Sequence, residues 1–185
     1  MRVYAGSVLV LLPPSETKRD GGTGGPLEFS SLRHPELSGR RRTAVAATKR
    51  LARSADETMR ALGLGPRQVG EVARNRAISS SPTMPAIDRY TGVLYDALDA
   101  STLPFAARSR AGDLVRIHSA LLGPVGGLDP IPAYRLSHDS KLPDLPLKTH
   151  WSRHVARTLA ASEGLLLDLR SEGYVGLGPA PARDD

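Results

Sequence analysis

Gly63 and Gly65 stand either side of one leucine and lead into Pro66, Arg67, Arg74 and Arg76 in the stretch LGLGPRQVGEVARN. Glycine just past one helix and proline at the first position of the next spell a tight helix-to-helix hairpin. Such a turn aims the backbone N–H groups of its second helix outward, where an anion can dock. The glycines let the backbone approach a phosphate closely, and the arginine forks match phosphate oxygens. Lys49, Arg53 and Arg60, just upstream, extend the same positive field. The chemistry expected of these residues is a grip on a phosphodiester backbone that does not read bases.

A second set of residues could do a different kind of chemistry. Glu16, Lys18, Tyr90, Asp129, Arg135, Asp168, Ser171 and Tyr174 fall in or beside loops, several of them at the carboxyl ends of expected strands, where α/β sites often form. Asp168 interrupts the apolar run LLLDL, and a carboxylate there must pair or face a cleft. These residues make an enzyme or small-ligand site the alternative reading. No Ser/His/Asp order, paired-carboxylate spacing or dinucleotide fingerprint selects a reaction class, and no cofactor is implied. His150 and His154 are four apart on an expected helix and share a face, the spacing of a metal pair. Trp151 stands where a zinc-protease motif needs glutamate and no third ligand is near, so no metal is expected. The run GGTGG at 21–25 lacks the Gly-Lys-Ser/Thr ending of a phosphate loop.

Charge supports the phosphate reading. The net charge is +6, and the segment from Arg33 to Arg76 alone sets ten Arg and Lys49 against Glu36, Asp56, Glu57 and Glu71, a net of +7. The rest of the chain is therefore slightly acidic, and the basic quarter contains the hairpin. No aromatic residue lies between Phe29 and Tyr90, which favours duplex over stacked single strand as the partner. The absence of cysteine excludes disulfides, thiolate catalysis and Cys-ligated metals. The opening MRVYAGSVLVLLPP lacks the long apolar core and cleavage site of a signal peptide, and no apolar stretch approaches a membrane span.

The elements that must position these groups follow from periodicity. SVLVLL (7–12) reads as a buried strand with both faces covered. Pro35 to Leu62 is the longest helical pattern, with Ser38 as its N-cap. It carries an apolar stripe of Val45, Ala52, Ala55, Met59 and Leu62, and turns Arg41, Arg42, Lys49, Arg53 and Arg60 to solvent. Pro66 to Arg76 is the second arm of the hairpin, burying Val69, Val72 and Ala73. A further helix from Tyr90 to Leu98 presents Tyr90 and Leu94 on one face. Residues 114–119 (LVRIHS) alternate as a strand, 121–136 form a long surface-shaping loop, 147–162 a helix seated on Trp151, Val155 and Leu159, and LLLDL a second buried strand. Strands separated by helices indicate a mixed α/β (α+β) domain, taken as single over residues 1–185, with the helix-hairpin-helix element at 40–76 inside it.

Four blocks together resemble a known family: LLPPSETK, SPTMPAIDRYTGVLYDAL, GLDPIPAYRL and LLLDLRSEGY stand in the order found in the YaaA family of peroxide-stress proteins. Tyr90, Thr91 and Gly92 match its Tyr-Thr-Gly block. Pro132, Tyr134 and Arg135 match its Pro-Tyr-Arg-Leu block around an inserted Ala133, and Ser171 and Tyr174 its Ser-x-x-Tyr. The resemblance implies a cytoplasmic protein of hydrogen peroxide resistance that limits free iron and binds double-stranded DNA through a helix-hairpin-helix beside a basic cleft. Gly126-Gly127 stand where many members carry Arg-Pro, and members continue through further strands and a Lys-rich block. The chain is thus expected to be a C-terminally truncated member.

Overall fold

The computed structural model describes residues 8–182. Ser7, with which the first apolar run opens, and the last three residues of the tail lie outside them. In chain order the elements are β1 (Val8–Leu12), α1 (Ser38–Leu51), α2 (Ala55–Leu62), α3 (Gly70–Arg76), β2 (Met84–Pro85), α4 (Ala86–Arg89), α5 (Val93–Leu98), α6 (Phe105–Leu114), β3 (Val115–Ser119), β4 (Gly123–Gly126), β5 (Pro130–Ile131), α7 (Leu147–Ala160), β6 (Leu165–Asp168) and α8 (Glu172–Val175). The fold is mixed α+β. β1 runs between β3 and β6, parallel to both, and β4 returns antiparallel to β3, giving the order β4-β3-β1-β6. A short antiparallel pair, β2-β5, sits apart from this sheet. No helix among the described residues is long and apolar enough to cross a membrane.

β1 is central because its side chains are almost wholly apolar. Leu9, Leu11 and Leu12 are buried, and Val8 and Val10 are half-buried. β6 differs from the buried strand expected of LLLDL. It pairs only with β1, so its alternate side chains face outward, and Leu165 and Leu167 are exposed. Periodicity cannot separate an edge strand from a central one when both faces are leucine. Residues 121–134 are also unlike a surface loop. Nearly all are buried, because β4 and β5 draw them inside.

The long helical pattern of 35–62 divides into three. A 3-10 turn at Pro35–Leu37 precedes α1, and the chain breaks at 52–54 before α2. Ser38 is already helical and α1 has no side-chain cap; Ser54 caps α2 instead, its hydroxyl accepting from the Glu57 amide at 3.4 Å. Arg41, expected at the surface, is fully buried and donates to the carbonyls of Arg33, His34, Leu122 and Pro124. It ties α1 to the β3–β4 hairpin.

Trp151 on α7 is fully buried and donates its indole N–H to the Ala120 carbonyl at 2.8 Å. Gly123 opens β4 at φ +67°, and a Cβ there would meet the Trp151 ring at 3.0 Å, so the turn needs glycine both for its dihedral and for its closeness. Trp151→Ala is expected to cost about 3–5 kcal/mol. Urea unfolding followed by circular dichroism measures it, since the only tryptophan is the one removed.

Candidate functional site

The stretch around Gly63 joins α2 to α3 through a tight turn. Gly63 caps α2 in the left-handed region at φ 61°, a conformation that costs a Cβ-bearing residue about 1 kcal/mol or more. The Leu64 amide closes the helix end on the Met59 carbonyl at 2.8 Å, and Pro66 opens a 3-10 turn, Pro66–Gln68, ahead of α3. Two more of the turn's amides are occupied internally. The Gln68 side chain accepts from Gly65 N–H at 3.0 Å, and Gln68 N–H donates to the Gly65 carbonyl at 2.9 Å. On α3 it is Val72 and Asn75 that are buried, while Val69 and Ala73 face solvent, because the 3-10 turn rotates the helix away from the expected phase.

The cations expected at this turn have unequal roles. Arg67 is exposed. Arg74 is neutralised by Glu71 and by Asp20, at 2.8 and 2.6 Å. Arg76 donates to the carbonyls of Ala52 and Arg53 and so closes the carboxyl end of α1, a structural duty. Arg60 reaches back to the Asp56 carbonyl.

The open positive charge lies on α1. Arg42, Lys49, Arg50 and Arg53 line a groove of about 460 Å³ with Phe29, Val45, Ala46 and Ser79, and no carboxylate lines it. Lys49 Nζ donates to Ser79 Oγ at 3.0 Å, and the Arg42 guanidinium lies 5.8 Å from the Phe29 ring centroid. Sequence reasoning turned Arg42 to solvent without making it a site residue, and passed over Arg50. The i, i+7 and i, i+8 spacing of Lys49 and Arg50 from Arg42 was visible, but the helix phase relative to Phe29 was not. A second cleft, of about 520 Å³, lies beside α3 and is lined by Asp20, Arg67, Gln68, Glu71, Arg74 and Ser81 among others. Its two carboxylates make it the poorer seat for an anion.

The other polar set partly converges. β1 delivers the loop 13–18 at its carboxyl end, and there Lys18 is buried, donating to the carbonyls of Ser15 (2.9 Å) and Glu16 (3.2 Å). Its ammonium stands 4.2 Å from the centroid of Tyr134 and 5.2 Å from that of Tyr90. The Tyr90 and Tyr134 hydroxyls are 2.8 Å apart, and Tyr134 continues to Ser119 Oγ at 2.6 Å, at the end of β3. Burial pushes both phenols well above their ordinary range, so both remain protonated. Glu16 is ion-paired to Arg135, and Arg135 and Asn75 exchange two bonds that fasten the Arg135 segment to α3. Three of the four sequence blocks therefore meet around Lys18.

The remaining members stand elsewhere. Asp168 pairs with Arg170 at 2.6 Å, and Arg170 also reaches His118, whose ring burial holds neutral by lowering its pKa to about 3. Asp129 is buried and accepts the Arg33 and Gly126 amides. Both are structural carboxylates. Ser171 is exposed at the start of α8, and Tyr174 is buried edge-on to His138. His150 is buried and bonded through Nε2 to the Arg40 carbonyl at 3.0 Å, so it ties α7 to α1 and does not share a ligand position with half-buried His154. Among the described residues no group of three or more His, Asp or Glu could hold a metal ion.

The sequence profile described as "Peroxide stress protein YaaA" matches residues 8–182. A UPF0246 protein of Corynebacterium glutamicum is 46% identical over 176 residues, covering 92% of this chain and 69% of the relative. A UPF0246 protein of Streptomyces coelicolor is 44% identical over 171 residues, 90% of this chain and 66% of the relative. One from Polynucleobacter asymbioticus is 31% identical over 180 residues, 90% and 68% respectively. With a match over the whole described chain and relatives at this level of identity, the chain belongs to the YaaA family of peroxide stress proteins.

Proposed function

We propose that this chain is a cytoplasmic peroxide-stress protein that binds double-stranded DNA without sequence specificity and thereby helps limit free-iron damage. The observation that carries this reading is the carboxylate-free groove of Arg42, Lys49, Arg50 and Arg53 along α1 and the break that follows it. The groove takes phosphates along α1, and the turn at Gly63–Arg67 takes a further phosphate through Arg67. Binding of this kind releases counterions, so affinity falls steeply as salt rises.

A salt titration of duplex affinity by fluorescence anisotropy tests it, with Gly65→Glu as the variant. A Cβ at Gly65 meets nothing nearer than Gln68 Oε1 at 3.8 Å, and its φ of −79° suits any residue, so the substitution changes charge without strain. Affinity is expected to drop about tenfold at low salt. Duplex affinity that ignores both salt and Gly65→Glu would sink the reading. The alternative, a small-ligand or enzymatic site, is favoured by a separate observation, the convergence of Glu16, Lys18, Tyr90, Tyr134 and Arg135.

A further inference from the structure

Among the described residues Lys18 is the one lysine placed in the interior. It is 7% exposed, whereas Lys49 is half-buried and Lys141 and Lys148 face solvent. A buried lysine ordinarily has a carboxylate partner. This one bonds only the carbonyls of Ser15 and Glu16, because the Glu16 carboxylate is held by Arg135 and that of Glu71 by Arg74. Burial first, and then the neighbouring Arg135, bring its pKa from 10.5 down to about 7; Arg74 acts the same way, while Glu71 and Glu16 oppose them. Its Nζ stands over the rings of Tyr134 and Tyr90, whose hydroxyls bond each other and Ser119. An amine that gives up its proton near neutrality is the nucleophile that imine formation requires.

The surroundings say which carbonyl could arrive. α3 is fastened to the segment of Arg135 by the two Asn75–Arg135 bonds and to the end of the Lys18 loop by the Arg74–Asp20 ion pair. Arg67 of the turn and Asp20 at the end of this loop line one cleft, so DNA held at Arg67 passes the loop that carries Lys18. The geometry points to Lys18 as the nucleophile of a covalent site for an aldehyde carried on DNA, the ring-opened deoxyribose of an abasic site. This rests on the DNA-binding reading above. In the step, neutral Lys18 Nζ adds to C1′, the carbonyl oxygen takes up a proton, and the carbinolamine loses water to leave a C1′=Nζ bond. Amine and aldehyde thus give imine and one water, with no oxidant or reductant. The exposed Glu16 yields Arg135 to the phosphate flanking the lesion, which uncovers the amine.

The test is borohydride trapping of the full chain with a duplex carrying one abasic site, with peptide mass spectrometry to place the adduct. Intact-duplex affinity is measured in the same samples, and glycolaldehyde serves as a free-aldehyde probe. The expected result is a borohydride-dependent DNA adduct on Lys18, with a yield that rises as pH passes through about 7. Lys18→Arg keeps a cation over the two rings but supplies no free amine, and should lower trapping about a hundredfold while retaining duplex binding. Duplex bound without an adduct on Lys18, or an adduct on Lys49, Lys141 or Lys148 instead, would overturn the inference and leave DNA binding standing. A glycolaldehyde adduct on Lys18 with no duplex binding would overturn the DNA-borne substrate and the DNA reading together. Placement of the adduct in the unmutated protein keeps the outcome clear even if Lys18→Arg folds poorly.

Discussion

Arg41→Met should destabilise the fold by about 3–5 kcal/mol, more than any other single arginine substitution on α1. The guanidinium is fully buried, and four carbonyls accept from it, at 2.7 Å (Arg33), 2.9 Å (Leu122), 3.0 Å (Pro124) and 3.2 Å (His34). Methionine keeps most of the stem but satisfies none of these acceptors, and each buried group left unpaired costs about 1–3 kcal/mol. Local relaxation and water entry recover part of that sum. The measurement is thermal or urea unfolding, where a loss of this size lowers Tm by roughly 10 °C in a chain of this length. Arg42→Met, one residue on and exposed, is the control and should change stability by less than about 0.5 kcal/mol. Equal effects at the two positions would mean that the carbonyl ties of Arg41 contribute nothing.

The triple reversal Arg42→Glu, Arg50→Glu, Arg53→Glu should have the opposite profile, with stability nearly intact and duplex affinity lost. All three side chains are exposed and line the carboxylate-free groove. Each phosphate contact removed lowers the salt slope by about 0.9, so the slope should flatten by nearly three. Replacing attraction by repulsion at three positions should weaken binding at least about a hundredfold at low salt. Arg76→Ala gives the contrast. Its guanidinium closes α1 on the carbonyls of Ala52 and Arg53, so it should cost stability before it costs affinity. A triple variant that binds duplex within threefold of the parent would remove α1 as the phosphate surface.

Much of the architecture was legible because apolar periodicity survives into the fold. β1 and α7 on Trp151, Val155 and Leu159 stand where their patterns placed them, whereas the helices around Gly63 are broken at 52–54 and shifted in phase beyond Pro66. The errors share a cause. LLLDL as an edge strand, 121–134 as interior and Val69 as exposed each depend on what a neighbouring element covers, which no local pattern encodes. The polar site was half legible. Glu16, Lys18 and Arg135 could be named as loop residues and Tyr90 as a helix start, though α5 begins only at Val93; Tyr134 and Ser119 join them only through packing between segments far apart in sequence.

Charge divides most sharply between what the sequence determined and what the tertiary structure decided. The sequence by itself determined a net of +7 between Arg33 and Arg76, and with it the expectation of an anionic partner. It could not tell which arginines were available. A long stem and five donors let Arg41, Arg89, Arg116 and Arg170 run inward and satisfy backbone carbonyls, some more than eighty residues away. Burying a guanidinium is repaid only where such acceptors converge, and that convergence exists only once β3, β4 and α1 have packed. The arginines left outside, on the free face of α1, are the ones a phosphate can meet.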